Sequence, residues 1–350
     1  MPAKPPACRV ATFGELLMRL AAPDHLRLDQ AGALEVTFAG AEANVAVALA
    51  SLGVPSRFIT RLPENPLADA ALRALRGFGV HTGCVERGGS RIGIYFVEPG
   101  VAQRASEVVY DREGSGFSQI APDSIAWRDA LSECTWFHTS GISPAVSASA
   151  AAVTKEAVTW ARDIGLRISL DLNYRAKLWQ WGGSTQDVMG ELVSRSHVVF
   201  SNETDLQSVF GITVPEPTSG NALIDPHAYE ASCHELMDRF PSVEMVALTL
   251  RGALSASENT WTAVLATRTE LYTTRRYSIA PIIDRVGSGD AFAGAAIACL
   301  TTRPDAVQHA LDFAVAASCL KHSILGDFNR VTIDEVERLA SGDGTGRIVR

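Results

Sequence analysis

Apolar positions along the chain alternate between short runs of strand length and longer segments with helical spacing. From about residue 121, an apolar run is repeatedly followed by a segment whose apolar residues recur three and four positions apart. This alternation predicts an α/β fold with an open, mostly parallel sheet and helices on both faces. The stretches that carry the pattern are "TWFHTSG", "SASAAAVTKEAVTWARDIG", "LRISLDLN", "HVVFSNETDLQSVFG" and "VEMVALTL".

The beginning of the chain predicts the same architecture. "CRVATFGELLMRL" is typical of a first strand that continues into a second, alternating one. "AGAEANVAVALASLG" has helical periodicity and small residues suited to close packing, and Gly53 stands where a C-terminal cap is expected.

One segment departs from this rhythm. "RIGIYFVEPGVAQRASEVVYDREGS" predicts two alternating strands around a Pro-Gly turn, with no helix to cover them. Together with strand-like residues near the beginning, it predicts a small antiparallel sheet that stands off the main domain as a candidate lid. The expected lid comprises residues 13–39 and 91–112, and the expected main domain comprises 8–12, 40–90 and 113–350. The final stretch "SGDGTGRIVR" is expected to be loose.

Composition narrows the possible partners and the compartment. The 31 basic and 39 acidic residues give a formal net charge of −8 without a basic run, which argues against nucleic acid. The six scattered cysteines form no CxxC pair, and the first residues lack the apolar segment of a signal peptide. The window "VTFAGAEANVAVALASLGV" contains Glu42 and Asn44, so a buried helix explains it better than a membrane span. We expect a cytoplasmic protein with no membrane partner.

The motif "GSGD" is the first candidate for chemistry. Backbone N–H groups of Gly287, Ser288 and Gly289 could form an anion hole where a strand leads into a helix. Asp290 could then accept a proton from an attacking hydroxyl as a general base. A glycine turn with an acidic residue in the first helical turn explains the same letters, and the motif alone leaves both interpretations open. Without GKS or GKT, and with Gly294 two positions late for GxGxxG, neither a Walker loop nor a dinucleotide fingerprint is present.

Three stretches in order make the interpretation more specific. "DRVGSGDAFAG" resembles the C-terminal signature DTxGAGDxF of the ribokinase-like (PfkB) carbohydrate kinases. "FAGAEANVAVALASLG" resembles that family's G-x-x-x-N segment, and "SNETD" between them resembles its N-x-x-E element. The resemblance covers nearly the whole chain. It implies a Rossmann-like three-layer main domain with a β-sheet lid, and transfer of the ATP γ-phosphoryl group to a sugar hydroxyl with Mg²⁺.

The same resemblance implies roles for individual residues. Asp290 would be the catalytic base, and Gly287, Ser288 and Gly289 would line the anion hole. Asp205 replaces the N-x-x-E glutamate and could organise Mg²⁺ through water, although it is one methylene shorter. Carbonyls near Asp284 and Val286 could hold K⁺, as in some relatives. The remaining implied contacts are Gly40 and Asn44 to sugar hydroxyls, and Asn202, Thr249, Gly252 and Ser318 to the nucleotide, with core packing an equal explanation for Ser318.

Within the family, several stretches resemble the 2-keto-3-deoxygluconate kinases, namely "GIYFVEPG", "VVYDREGS", "SLDLNYRAKLW" and "LKHSILGDFN". Arg112 and Tyr110 are two residues apart on one predicted strand, so they share a face. Arg175 follows a predicted core strand, at the end where ligands collect. A guanidinium suits a carboxylate through paired hydrogen bonds, which favours a sugar acid. The resemblance adds Tyr95 and Asp327 as substrate contacts.

Simpler explanations exist for each of these residues. Arg112 could be a solvated strand residue, Tyr95 could be a packing residue, and Asp327 could form a turn. Arg285 stands where the family has threonine, which weakens a generic sugar-kinase assignment. The alternative functions are a fructokinase or other neutral-sugar kinase, and a non-catalytic sugar-acid sensor, against which the intact "GSGD" argues. A homodimer through the lid is expected by analogy alone.

Overall fold

The computed structural model describes residues 9–215 and 225–344, so most of the expected loose tail lies outside the described residues. Strands form where β-branched and aromatic residues alternate or cluster. In chain order they are β1 (Val10–Phe13), β2 (Leu17–Ala21), β3 (Glu35–Ala39), β4 (Ser56–Ile59), β5 (Arg61–Leu62), β6 (Glu86–Arg87), β7 (Gly93–Glu98), β8 (Glu107–Asp111), β9 (Trp136–Ser140), β10 (Arg167–Asp171), β11 (Val198–Asn202), β12 (Met245–Ala253), β13 (Asn259–Thr267), β14 (Leu271–Thr273) and β15 (Tyr277–Ile279).

The helices expected near residues 41–51 and 148–163 form, and several helices begin at capping side chains. Ser147 accepts a hydrogen bond from the Ala150 amide at the start of one long helix, for example. In chain order the α-helices are α1 (Ala41–Ser51), α2 (Pro66–Gly77), α3 (Trp127–Ala130), α4 (Ile142–Ala145), α5 (Ala148–Asp163), α6 (Thr185–Val193), α7 (Asp205–Phe210), α8 (Glu230–Arg239), α9 (Ser288–Thr302), α10 (Val307–Lys321) and α11 (Ile333–Ser341).

The large sheet confirms the expected three-layer α/β architecture. Its strand order is β14-β13-β12-β11-β10-β9-β1-β4, with β15 paired to β13. The strands from β12 to β4 pair in parallel, whereas β13, β14 and β15 join antiparallel at one edge. Neighbouring residues of a strand face opposite layers: Val199 packs with α5 to α8, and Phe200 packs with α1, α9 and α10.

The second sheet has the order β3-β2-β7-β8 and lies beside the carboxyl ends of the parallel strands. The pairs β2–β3 and β7–β8 are antiparallel as expected, but the central pair β2–β7 is parallel. The sheet is therefore mixed, because the chain passes through the main domain between its two halves and enters each half in the same direction. Phe13, expected in this sheet, belongs to β1 of the main sheet.

No helix within residues 9–215 and 225–344 is long and apolar enough to cross a bilayer.

Candidate active site

A cavity of about 690 Å³ lies between the carboxyl ends of the main parallel strands and the inner face of the small sheet. Strand ends and helix N-termini meet at this edge, where open α/β sheets place their ligands. The cavity brings together most of the residues predicted from the sequence. Those that line it are Gly40, Asn44, Tyr95, Tyr110, Arg112, Arg175, Asn202, Thr249, Val286, Gly287, Ser288, Gly289, Asp290 and Asp327.

Asp290 lies in the first turn of α9 and is almost fully buried. The Nδ2 atom of Asn44 donates a hydrogen bond to its Oδ2 atom at 2.6 Å. Burial raises the pKa of Asp290 to about 7, and the hydrogen bond from Asn44 acts in the opposite direction. A carboxyl group with such a pKa can both accept and release a proton near neutral pH.

The turn that leads into α9 depends on glycine. Gly287 has φ of 83°, in the left-handed region that residues with a side chain rarely adopt. A Cβ atom at this position would lie 2.3 Å from the carbonyl oxygen of Asp327. The loop therefore packs its backbone directly against the segment that carries Asp327, and its amides stay close to the cavity.

Ser318 and Gly252 do not line the cavity. Ser318 is fully buried on α10, and its hydroxyl donates to the carbonyl oxygen of Ser288 at 2.9 Å. The structure thus places Ser318 behind the glycine turn and gives no support to the expected adenine contact. Its position fits the packing alternative, because α10 lies against α9 along its length.

Asp327 is the centre of a buried polar network. The hydroxyl of Tyr95 donates to its Oδ1 atom at 2.8 Å, and Nη1 of Arg19 donates to the same atom at 2.6 Å. The other Nη atom of Arg19 binds Asp284 at 2.6 Å. Arg19 was missed by the sequence analysis, although its register opposite Tyr95 places both side chains on the inner face of the small sheet.

Arg112 lies just after β8 and is 9% exposed, so it is not a solvated strand residue. Its guanidinium carbon lies 4.6 Å from the centre of the Tyr110 ring, and its Nε atom lies 3.4 Å from Oε2 of Glu15. The Nε and Nη1 atoms of Arg112 are buried and make no hydrogen bond within the described part of the chain. Arg112 is therefore a buried cation that lines the cavity, and its free N–H donors can bind a ligand there.

Glu15 was missed by the sequence analysis but also lines the cavity. Its Oε1 atom accepts a hydrogen bond from Ser115 at 2.6 Å, and burial raises the pKa of Glu15. The ion pair between Glu15 and Arg112 holds the arginine against the small sheet. This pair leaves N–H groups of Arg112 without an acceptor.

On the opposite wall, Arg175 follows β10 and donates to the carbonyl of Tyr174 at 2.8 Å. No ion pair among the described residues includes Arg175. Asp171, which ends β10, also lines the cavity and was missed. Burial, together with the nearby charges of Asp290 and Asp205, raises the pKa of Asp171 well above its usual value.

The turn after β11 differs from the expectation for Asp205. Asn202 accepts hydrogen bonds from the amides of Thr204 and Asp205 at 2.8 and 3.0 Å, which fixes the turn. The carboxylate of Asp205 accepts the Tyr174 amide at 3.0 Å and does not line the cavity. Glu203 lines it instead, and burial raises the pKa of Glu203.

Two arginines, Arg251 and Arg285, line the cavity near Glu203 and Thr249. Arg285 donates to the carbonyl of Ala256 at 2.6 Å, which anchors its side chain. Within the residues that the structure describes, no group of three or more His, Cys, Asp or Glu side chains could by itself hold a metal ion. A divalent cation at this end would therefore depend on ligands from a bound phosphate as well.

The family model of pfkB family carbohydrate kinases matches residues 8–327, and the chain belongs to that family. It is 32% identical over 337 residues to a 2-dehydro-3-deoxygalactonokinase of Haloferax volcanii, covering 96% of this chain and 98% of that protein. The crystal structure of 2-dehydro-3-deoxygluconokinase from Thermotoga maritima superposes with a TM-score of 0.90 at 42% identity, covering 96% of this chain and 98% of that one.

A more distant structure, from Escherichia coli, shares the fold with a TM-score of 0.76 at 21% identity, covering 95% of this chain and 99% of that one. It was solved in complex with ATP and Mg²⁺. The chain is thus a carbohydrate kinase, and kinases of this fold have been captured with a nucleotide and its metal ion.

Proposed function

We propose that this kinase transfers the γ-phosphoryl group of ATP to 2-keto-3-deoxygluconate, also called 2-dehydro-3-deoxygluconate, and forms 2-keto-3-deoxy-6-phosphogluconate. One observation carries the proposal. A single cavity contains Asp290, whose pKa is raised to about 7, and Arg112, a buried cation with free donors. The names of the similar proteins from Thermotoga maritima and Haloferax volcanii support a 2-keto-3-deoxy sugar acid as the substrate class.

In this proposal Asp290 accepts the proton of the attacking hydroxyl while the oxygen–phosphorus bond forms. Asn44 holds the carboxylate through its 2.6 Å hydrogen bond and so directs the free oxygen toward the cavity. The amides of Gly287, Ser288 and Gly289, at the N-terminus of α9, stabilise the charge on the transferring phosphoryl oxygens. The leaving group is ADP, and the proton leaves Asp290 afterwards.

The nucleotide would occupy the end of the cavity lined by Asn202, Glu203 and Thr249. The residues present there fit a nucleotide with its metal, because Arg251 and Arg285 supply positive charge and Glu203 supplies a carboxylate. When bound, Mg²⁺ neutralises the charge that develops between the β- and γ-phosphates. In this proposal Glu203, rather than Asp205, helps to organise Mg²⁺.

The sugar carboxylate would bind between Arg112 on the small sheet and Arg175 on the main sheet. Both arginines line the cavity, and neither forms an ion pair that uses all of its donors. The net charge of −8 repels an anion at long range, so local arginines are needed to hold one. A neutral sugar offers nothing to match a buried guanidinium.

We further propose that the small sheet acts as a lid over the cavity. Hydrogen exchange over residues 91–112 should slow when ATP and the sugar acid are both present, because lids exclude water from phosphoryl transfer. Equal exchange in both states would contradict a gating role.

The homodimer also remains a proposal. The outer face of the small sheet carries the apolar row Val36, Leu20, Phe96 and Val109, which the strand register brings side by side. Val36 is 58% exposed and Val109 is 52% exposed, so this face could meet a second copy. Sedimentation velocity of the wild type and of Val109→Glu would show a change from dimer to monomer if this face is the interface.

One coupled assay tests the proposed substrate. At fixed ATP, the substrates 2-keto-3-deoxygluconate, its C-4 epimer 2-keto-3-deoxygalactonate, fructose and ribose are compared by kcat/KM. We expect one of the two sugar acids to exceed both neutral sugars by at least about tenfold, the minimum that one charged hydrogen bond provides. The highest kcat/KM with fructose would establish the neutral-sugar alternative, and no ATP turnover with any sugar would favour the sensor.

A further inference from the structure

Lys321, the last residue of α10, is a fully buried lysine directly beneath the glycine turn. Its Nζ atom donates to the carbonyl oxygen of Asp284 at 3.3 Å and to that of Ile324 at 3.0 Å. Lysine is almost never fully buried unless its charge has partners. The side chain takes no part in the proposed chemistry, so its burial calls for another explanation.

The position of Lys321 bears on the monovalent cation that the family resemblance implied. Potassium needs several oxygen atoms that are free to coordinate it. The oxygens of Asp284, the first expected ligand, already have donors: its carbonyl oxygen accepts Lys321, its Oδ1 atom accepts the Val286 amide at 3.0 Å, and its Oδ2 atom accepts Arg19 and the Gly326 amide. Asp284 therefore leaves no oxygen without a donor to coordinate a potassium ion at this position.

The hydrogen bonds of Lys321 suit an ammonium group. Both hydrogen-bond partners are carbonyl oxygens, which can only accept. Burial lowers the pKa of Lys321, while the carboxylates of Asp284, Asp327 and Asp290 act in the opposite direction. Arg19 lies on the other side of Asp284 and Asp327 and repels the positive charge of Lys321. The ion pairs that Arg19 forms with these two carboxylates offset the repulsion.

Helix α10 forms hydrogen bonds to both ends of the loop that leads to the anion hole. At the far end, Ser318 donates to the carbonyl of Ser288 at 2.9 Å. At the near end, the carbonyl of His322 accepts the Ile283 amide at 2.8 Å, and Lys321 binds the next residue, Asp284. Lys321 is therefore placed to fix the backbone of residues 284–288, of which 285–288 line the cavity.

We propose that Lys321 is a built-in cation that takes the place of a monovalent metal ion beneath the anion hole, so that this kinase works without potassium. Lys321 is a positioning residue, because it does not line the cavity and acts through the 284–288 backbone. The inference rests on the proposed role of that loop in phosphoryl transfer. It predicts a loss in kcat larger than any change in the KM of the sugar.

The first experiment uses the wild-type protein and whichever sugar the substrate panel shows to be turned over. The kcat is measured in potassium, sodium and tetramethylammonium chloride at equal ionic strength, and the melting temperature is measured in the same salts. We expect kcat to agree within about twofold, and the melting temperature to agree as well, because the site needs no ion. Activation by potassium of more than about fivefold over tetramethylammonium would overturn the proposal.

The second experiment removes the ammonium group. Lys321→Met should lower kcat about tenfold or more, in the range typical for groups that orient a reacting site. Lys321→Ala, which leaves space, should regain several-fold in kcat when methylammonium, ammonium or potassium ions are added. Lys155→Met is the matched control, since Lys155 forms a surface ion pair with Glu191 on another face, and it should behave as wild type.

Rescue by a small cation separates a positioning role from simple loss of packing, which added ammonium would not repair. Wild-type kcat in Lys321→Met, or a loss in Lys321→Ala that no cation reverses, would contradict the proposal. If both variants fail to fold, the salt series on the wild type still decides, because potassium activation overturns the inference and its absence supports it. Failure of the sugar-acid assignment would leave these outcomes unaffected.

Discussion

The two walls of the cavity are built in different ways. On the main-sheet wall, Asp284, Ser288 and Asp290 are buried and hydrogen-bonded to neighbouring elements. On the small-sheet wall, most of β8 is exposed, and Tyr110 is 37% exposed. The first wall is rigidly preorganised for a reaction, whereas the β8 edge of the second wall is exposed and free to adapt. We infer that proton transfer belongs to the main-sheet wall, whereas Arg112 on the small-sheet wall acts with Arg175 in the choice of substrate.

The largest effect is expected from a substitution on the main-sheet wall, at Asp290. Asp290→Asn keeps the shape of the side chain but removes the proton acceptor. We expect kcat to fall by about a hundredfold to ten-thousandfold for every sugar that the enzyme accepts, with ATP and sugar binding nearly unchanged. Steady-state kinetics and calorimetric titration measure the two effects. Asp187→Asn, at the N-terminus of α6, is the control. More than about a tenth of wild-type kcat would show that Asp290 is not the base.

A change on the small-sheet wall should affect binding instead. Arg112→Gln removes a buried charge whose hydrogen bonds to a carboxylate are worth roughly 1.5 to 3 kcal/mol. The KM for 2-keto-3-deoxygluconate should therefore rise about tenfold to a hundredfold, while the KM for ATP stays constant. Arg91→Gln is the matched control, because Arg91 pairs with Asp111 at the exposed edge of the same sheet. An unchanged KM for the sugar acid in Arg112→Gln would place the carboxylate elsewhere.

A smaller effect is expected from the hydrogen bond between Asn44 and Asp290. The base must be ionised to accept a proton, so wild-type kcat/KM should fall as pH drops through the pKa of Asp290, about 7. The hydrogen bond from Asn44 lowers that pKa. Asn44→Ala should therefore move the acidic limb of the profile to higher pH, measured by kcat/KM across pH 5 to 9. A limb that stays in place or moves to lower pH would show that Asn44 does not tune the base.

The sequence was sufficient for the features that depend on local pattern. The alternation of strands and helices predicted the main sheet, and the glycines of "GSGD" predicted a turn, in which Gly287 adopts the left-handed backbone that favours glycine. The motifs also placed Asp290 and Asn44 at one site, although 246 positions separate them along the chain.

What the sequence could not show depends on long-range contacts. Arg19 meets Asp327 across 308 positions, and nothing local marks either the contact or the burial of Lys321. Ser318 could not be assigned to a face, because α10 is apolar around most of its circumference. The parallel pair at the centre of the small sheet follows from the path of the chain through the main domain, which strand patterns do not reveal.

The most direct test of the division between the walls compares 2-keto-3-deoxygluconate with its methyl ester, which differs by the charge of one carboxylate. In the wild type, kcat/KM should favour the acid by about tenfold to a hundredfold, the value of one charged hydrogen-bonded pair. Asp290→Asn should lower both rates and keep this ratio, whereas Arg112→Gln should lower the ratio severalfold and leave the part that Arg175 supplies. An unchanged ratio in Arg112→Gln, or a collapsed ratio in Asp290→Asn, would contradict the role of Arg112 in the choice of substrate.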